Sequence, residues 1–174
     1  MYKIVHREQF SDTNFLWEVE APDVAASAQP GQFIMVRLHE GSERVPLTVA
    51  DFDRERGTIT LVVQALGKTT QEMRDRYHSG DSFADFVGPM GLPTHIGNVG
   101  HVVLVGGGLG VAPVFPQLRA YKEAGCKVTG IIGFRTRDLI FWEDRFAEYC
   151  DELIVCTDDG SYGRPGFVTA ALLD

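Results

Sequence analysis

Gly106-Gly107-Gly108-Leu109-Gly110 follows the apolar run His101-Val102-Val103-Leu104-Val105 and precedes a stretch where Val111, Val114, Phe115, Leu118 and Tyr121 recur at helical spacing. Bare backbone amides at a helix start, with the positive end of the helix dipole behind them, suit a pyrophosphate. The run is not the G-x-G-x-x-G fingerprint. Counted from Gly106 and Gly108, the third glycine falls on Val111, and no acidic residue lies about 20 positions on to hold a ribose hydroxyl. Arg135 and Arg137 follow the second strand instead. The alternative is a glycine-rich turn serving only close packing of helix on sheet, with the arginines solvated.

A second constellation is Arg44-Val45-Pro46-Leu47-Thr48, a cation followed four positions on by a hydroxyl; Gly67-Lys68-Thr69-Thr70 comes later at a helix start. Both suit phosphate, and two phosphate sites in one small unit imply a dinucleotide. An arginine beginning a strand reads equally as a surface charge. Gly-Lys-Thr-Thr lacks the upstream glycine spacing of a P-loop, which argues against a nucleotide triphosphatase. The third constellation, Thr157-Asp158-Asp159-Gly160-Ser161-Tyr162-Gly163, closes a strand where ligands of open α/β sheets collect, although Asp and Gly also favour tight turns for their own sake. No His or third acid accompanies the two carboxylates, and His6, His39, His78, His95 and His101 show no ligand spacing and no Ser or Cys partner arrangement. No metal site is expected, and hydrolytic chemistry has no support.

The elements that must position these residues divide the chain. Up to about Gly97, short segments alternate in apolarity between turn signals. Phe15, Trp17 and Val19 point one way and Leu16, Glu18 and Glu20 the other; residues 32–38, 45–50 and 58–64 are further strands, with a polar turn at 53–57. Such spacing predicts an antiparallel barrel. One helix, 69–77, interrupts it, with Thr69 or Thr70 as its cap, before a strand at 83–87 that Gly88-Pro89-Met90-Gly91 ends. From Asn98 the runs cease to alternate, as in a parallel sheet buried on both faces, and strands at 127–134 and 152–156 alternate with helices. The expected organisation is a barrel domain over 1–97 and an α/β domain over 98–174. Only three strands are counted in the second, fewer than a nucleotide-binding sheet usually has, so further chain is expected downstream.

The composition is that of an ordinary globular chain, 44% apolar and 23% charged over 174 residues. Sixteen basic against 24 acidic residues give a formal charge of −8, and the basic residues are scattered, which disfavours nucleic acid as a partner. No stretch approaches the roughly 20 apolar residues of a membrane span, and Met1 to Phe10 lacks an apolar signal core, so a cytoplasmic location is expected. Cys126, Cys150 and Cys156, odd in number and widely spaced beside apolar runs, read as buried free thiols.

In order, Arg44-Val-Pro-Leu-Thr48, Gly67-Lys-Thr-Thr70, Gly88-Pro-Met-Gly91, Gly106-Gly-Gly-Leu-Gly-Val-Ala-Pro113, Gly133-Phe-Arg-Thr136 and Thr157-Asp-Asp-Gly-Ser-Tyr-Gly163 resemble the ferredoxin:NADP reductase superfamily over nearly the whole chain. Within it, the Pro-Leu-Thr and Thr-Asp-Asp-Gly-Ser-Tyr-Gly segments look most like the small (alpha) subunits of NADH-dependent ferredoxin:NADP oxidoreductases, also called sulfide dehydrogenases, with electron-transfer subunits of dihydroorotate dehydrogenase as near neighbours. The resemblance implies an antiparallel FAD-binding barrel followed by an NAD(P)H-binding parallel-sheet domain. It implies that Arg44 holds the flavin pyrophosphate, with Pro46 and Leu47 beside it. Thr48 would lie near the isoalloxazine edge that accepts hydride, Val62, Val63 and Gln64 would line the opposite strand, and Gly67, Lys68, Thr69 and Thr70 would complete the phosphate grip. Gly107, Gly108, Gly110 and Pro113 would cradle the nicotinamide dinucleotide, with Arg135 near its adenosine ribose or a 2′-phosphate and Asp158, Asp159, Gly160 and Ser161 bordering the cleft. Hydride transfer between stacked rings needs no acid or base from the protein.

The resemblance further implies electron flow between NAD(P)H and FAD and onward, through a larger partner subunit, to ferredoxin or an iron-sulfur centre. The cysteine-rich segment that ligates a [2Fe-2S] cluster in this subfamily, and the Cys-Gly-Pro strand end before it, have no counterpart in these residues, so a cluster is expected only in a longer chain. NAD and NADP are not distinguished. The alternatives are the electron-transfer subunit of dihydroorotate dehydrogenase and a catalytically inert docking or regulatory module.

Overall fold

The computed structural model describes residues 1–173. Met1–Thr94 forms one compact unit and a second begins at His95, three residues before the expected start at Asn98.

The first unit contains, in order, β1 (Tyr2–Gln9), β2 (Asn14–Glu20), α1 (Pro22–Ser27), β3 (Phe33–Arg37), β4 (Arg44–Thr48), β5 (Asp51–Asp53), β6 (Thr58–Gln64), α2 (Lys68–Arg76), β7 (Ser82–Phe83) and β8 (Asp85–Met90). All its strands pair antiparallel, in two sheets ordered β5-β6-β2-β1-β7 and β4-β3-β8. One core lies between them, taking Ile4, Phe15, Trp17, Val19 and Leu61 from the first sheet and Ile34, Val36 and Phe86 from the second. Alternation explains the choice, since every second residue of a strand faces the same side.

Several expectations shift. Leu16, assigned to the outer face of β2, is buried as well. The expected strand over 45–50 ends at Thr48 as β4; Val49 and Ala50 are buried, their amides donating to the Gln32 and Thr60 carbonyls, and a separate strand, β5, follows at Asp51–Asp53. β8 continues through Gly88-Pro89 to Met90 instead of ending at Val87; Gly88 is admitted because a Cβ there would lie 2.7 Å from Ile34 Cγ2. Neither Thr69 nor Thr70 is the cap of α2, whose N-cap is Gly67. β1 and the six-residue α1, too short to show a helical period, were not legible in the sequence.

α2 is clamped at its far end. Trp17 Nε1 donates to the Tyr77 carbonyl at 3.0 Å, and Arg7 donates from Nη2 to the Arg74 carbonyl at 3.0 Å with its guanidinium 4.8 Å from the Phe15 ring centroid. A cation at a helix C-terminus opposes the negative end of the dipole, and a buried indole N–H requires an acceptor.

The second unit is a four-stranded parallel sheet ordered β12-β11-β10-β9. Its elements are β9 (His101–Gly107), α3 (Val111–Glu123), β10 (Lys127–Phe134), α4 (Glu143–Tyr149), β11 (Glu152–Thr157), β12 (Arg164–Pro165) and α5 (Val168–Leu173). β12 is a fourth strand where three were counted, two residues long and without apolar periodicity to reveal it. β10 is buried at every position after Lys127, as a strand covered on both faces must be. A Cβ on Gly130 would meet Cys150 and Leu118, from the α4 end and α3, whereas one on Gly133 would meet Val168 of α5; α3 and α4 therefore cover one face and α5 the other.

Trp17→Ala is expected to destabilise the first unit by about 3–5 kcal/mol, since it empties a fully buried site and strips the Tyr77 carbonyl of its donor. Urea unfolding followed by circular dichroism measures this, and Trp17→Phe should lose distinctly less.

Candidate functional site

In the first unit, β4 presents Arg44, Pro46 and Thr48 on its exposed side, while Val45 and Leu47 pack against the core. Pairing with β3 and β8 extends each exposed residue into a row across the three-stranded sheet. Arg44 lies opposite Arg37 and Arg37 opposite Asp85; Pro46 opposite Met35 and Met35 opposite Val87; Thr48 opposite Phe33 and Phe33 opposite Met90. The outer face thus passes from a cationic row to an apolar row to one with a hydroxyl and an aromatic ring. Four residues of strand separate its ends by about 13 Å.

The cationic row is organised by Asp85. Its Oδ2 is 2.6 Å from Arg37 Nε and 2.9 Å from Arg44 Nη2. Arg37, more than Arg44, holds the Asp85 carboxyl below the usual carboxylate range.

The remaining residues singled out in this unit fall into distinct places. Val63 is in the core, while Val62 and Gln64 are half-buried on the other side of β6. Gly67 and Lys68 are exposed at the start of α2. The Thr69 hydroxyl is buried and donates to Glu43 Oε1, which brings the start of α2 beside the start of β4. Thr70 Oγ1 accepts from the Leu66 and Gly67 amides, each at 3.1 Å, and donates to the Gly67 carbonyl. Both hydroxyls expected to grip phosphate are therefore engaged by the protein, which leaves Arg44, Lys68 and open backbone for an anion. Lys68 borders a cavity of about 590 Å³ lined also by His39, Gln71, Glu72, Asp75 and Arg76.

In the second unit, a cavity of about 310 Å³ opens at the carboxyl ends of β9, β10 and β11, lined by Gly107, Gly108, Arg135 and Asp158 among others. The glycines divide by role. A Cβ on Gly106 would lie 2.9 Å from Val111 Cα, so this glycine lets strand and helix touch; Gly107, Gly108 and Gly110 have open space above them. Close packing thus falls on Gly106, and the open positions that the alternative reading needs fall on other residues of the same run. Pro113 is half-buried in the first turn of α3 and is not among the cavity's lining residues.

The loop after β11 divides likewise. Asp158 lines the cavity. Asp159 Oδ1 accepts from the Ser161 amide at 3.0 Å and hydroxyl at 2.6 Å, and Ser161 Oγ accepts from the Arg137 amide at 2.9 Å. Those hydrogen bonds hold the Asp159 carboxyl below its ordinary range. Asp159 and Ser161 build the turn around Gly160, which has φ +71°. Arg37, Glu43 and Asp85 were missed by sequence reasoning. Asp85 lies 41 positions from Arg44, and only strand register relates them.

The three cysteines are free, with Cys126 and Cys156 buried. Burial pushes the Cys150 thiol up to about 11 and raises Cys156 as well. Among the described residues no group of three or more His, Cys, Asp or Glu side chains gathers to hold a metal ion, and no helix is long and apolar enough to cross a membrane.

The chain is 45% identical over 170 residues to the dihydroorotate dehydrogenase B (NAD(+)) electron transfer subunit homolog of Thermotoga maritima, a match covering 98% of this chain and 60% of that protein. It is 31% identical over 172 residues to the dihydroorotate dehydrogenase B (NAD(+)) electron transfer subunit of Bacillus cereus, covering 95% and 65%. A solved structure of NADH-dependent reduced ferredoxin-NADP oxidoreductase, described for flavin-based electron bifurcation, superposes with a TM-score of 0.92 at 44% identity, covering 99% of this chain and 62% of that one. Over nearly its whole length the chain is similar to proteins of the ferredoxin:NADP reductase superfamily. More distant members share the fold alone, among them a ferredoxin NADP+ reductase from Neisseria gonorrhoeae at 18% identity and a TM-score of 0.78. The chain spans about three fifths of the length of the first three of these relatives. No protein-family model matches it.

Because the thiolate is the reactive form, a raised pKa slows thiol chemistry at neutral pH. Folded protein at pH 7.5 is expected to react slowly with a disulfide reagent at Cys150 and Cys156 for this reason and at Cys126 because it is buried, and urea should release all three together; a fast native phase would contradict this.

Proposed function

We propose that this chain carries the flavin- and pyridine-nucleotide-binding units of an electron-transfer oxidoreductase, taking reducing equivalents from NAD(P)H to FAD and passing them through a larger partner subunit to ferredoxin or an iron-sulfur centre. The observation that supports it most is the order of rows on the outer face of β4-β3-β8. A cation stands where a pyrophosphate would be held, apolar side chains follow, and a hydroxyl stands about 13 Å away where the edge of a flat polar ring needs a donor. The open glycine-lined cavity in the second unit offers room for part of a second nucleotide, which supports the reading.

Bound FAD would supply the capacity for hydride acceptance and single-electron release, chemistry that belongs to the cofactor. The protein's part is to bind and orient. Arg44 offers donors to the pyrophosphate with Lys68 adding charge at the start of α2, Pro46 provides apolar surface, and the Thr48 hydroxyl donates towards the hydride-accepting edge. Gly107, Gly108 and Gly110 allow a nucleotide backbone to approach the amides before α3, while Arg135 and Asp158 border the cavity where a ribose or its phosphate would lie. No side chain is required to take or give a proton, so rate should depend on positioning. An iron-sulfur cluster is proposed only for a polypeptide that adds further thiolate ligands.

The identities to dihydroorotate dehydrogenase B electron transfer subunits favour a second reading, in which the same two units serve a dihydroorotate-oxidising partner. The cofactor chemistry is shared and the partner differs, so stable association with one catalytic subunit or the other separates the two.

Purified protein incubated with FAD is expected to retain it, show the absorption of oxidised flavin and bleach with NADH or NADPH under anaerobic conditions. A colourless protein that takes up no FAD would leave an inert docking module. Arg44→Ala should weaken FAD binding by about 1.5–3 kcal/mol, the worth of a hydrogen bond to a charged group. Gly107→Val, which projects into open space, should raise the KM for the pyridine nucleotide while leaving FAD affinity and Tm nearly unchanged.

A further inference from the structure

Arg44 is a long side chain on its strand's exposed face, and by itself it would sample many rotamers, so ordering it on a ligand costs conformational entropy. In this fold it is not left to itself. Arg44, Arg37 and Asp85 form one row perpendicular to the strands of the sheet ordered β4-β3-β8. Asp85 reaches back across β3, and a single oxygen, Oδ2, meets both guanidinium groups at 2.9 Å and 2.6 Å. The Arg44 side chain is 56% exposed, while Arg37 and Asp85 are only 24% and 26% exposed, so the outer end of the row is the accessible one and the inner pair is its support. Arg44 uses one nitrogen for Asp85, and its other guanidinium nitrogens have no partner among the described residues.

A carboxylate beside an anion site normally harms it. Here two guanidinium charges face one carboxylate, which leaves the row with a net positive charge. Arg37 is closer to Asp85 than Arg44 is, and it is the larger influence on that carboxyl. We infer that Asp85 is a positioning residue that aims Arg44 at the flavin pyrophosphate, while Arg37 cancels the Asp85 charge so that the carboxylate orients the arginine without repelling the phosphate. The inference rests on the flavin reading given above and adds to it the two residues that make Arg44 effective. The Arg44–Asp85 contact lies at the exposed end of the row and contributes little to stability, so its effect belongs in ligand binding.

Binding of FAD and of riboflavin, which has the same ring and no phosphate, is measured by flavin fluorescence for the wild type, Asp85→Asn, Asp85→Glu, Arg44→Ala and the double variant D85N/R44A. Asp85→Asn is expected to lose about tenfold in FAD affinity, the scale of coupling between contacting residues. It should bind riboflavin like the wild type, and Asp85→Glu should recover part of the loss. The double variant should bind FAD no more weakly than Arg44→Ala alone, because Asp85 acts only through Arg44. Tighter FAD binding by Asp85→Asn would mean that the carboxylate competes for Arg44, and additive losses would mean that it acts elsewhere. An equal loss of riboflavin would mean that the sheet face itself was disturbed. Each of these three overturns the inference and leaves the flavin reading standing, as does an Arg44→Ala variant with undiminished affinity. A wild type that binds neither flavin overturns both.

Discussion

The pairing of β3 with β4 on one side and β8 on the other decides what the first unit can hold. Antiparallel pairing brings residues from segments as distant as Arg44 and Asp85 into one row, and strand alternation then gives each row either to the core or to the outer face. Ile34 and Val36 take the inner face with Val45 and Leu47, so Arg37, Met35 and Phe33 must take the outer one with Arg44, Pro46 and Thr48. A slip of one residue would bury Arg44 and expose Leu47. Core packing and the composition of the outer face are therefore a single constraint, because the residues that hold the core closed fix which side chains the sheet exposes.

A comparable coupling governs the second unit at closer range. Gly106 allows β9 and α3 to meet without a side chain between them, and the following glycines leave the amides ahead of the helix uncovered. The polar loop after β11 completes the rim through Asp158, while Asp159 and Ser161 are occupied in holding its turn together. A loop rich in polar residues thus contributes one side chain to the cavity and uses the others to keep that one in place.

The distribution of hydroxyls follows the same logic. Thr69 and Thr70 sit at a helix start, where a hydroxyl is as useful to the protein's own groups as to a phosphate, and both are taken, Thr69 by the Glu43 carboxylate and Thr70 by the Leu66 and Gly67 backbone. Thr48 has no such neighbour along its strand and remains exposed. A hydroxyl beside a candidate phosphate site is available only when local backbone geometry makes no prior claim on it.

From the order of its residues alone, this chain determined an antiparallel unit followed by a parallel α/β unit, the positions of β6 and β10, and the glycine run between a strand and a helix. These depend on periodicity and on conformational preferences that act within a few residues. Tertiary structure alone decided that Val63 and Leu47 face inward, that β8 runs on through Gly88-Pro89, that the Thr69 hydroxyl is engaged by Glu43, and that Asp85 and Arg37 stand behind Arg44. The physical reason is that register and packing join residues tens of positions apart, through backbone hydrogen bonds and buried side chains that leave no local periodicity in the sequence.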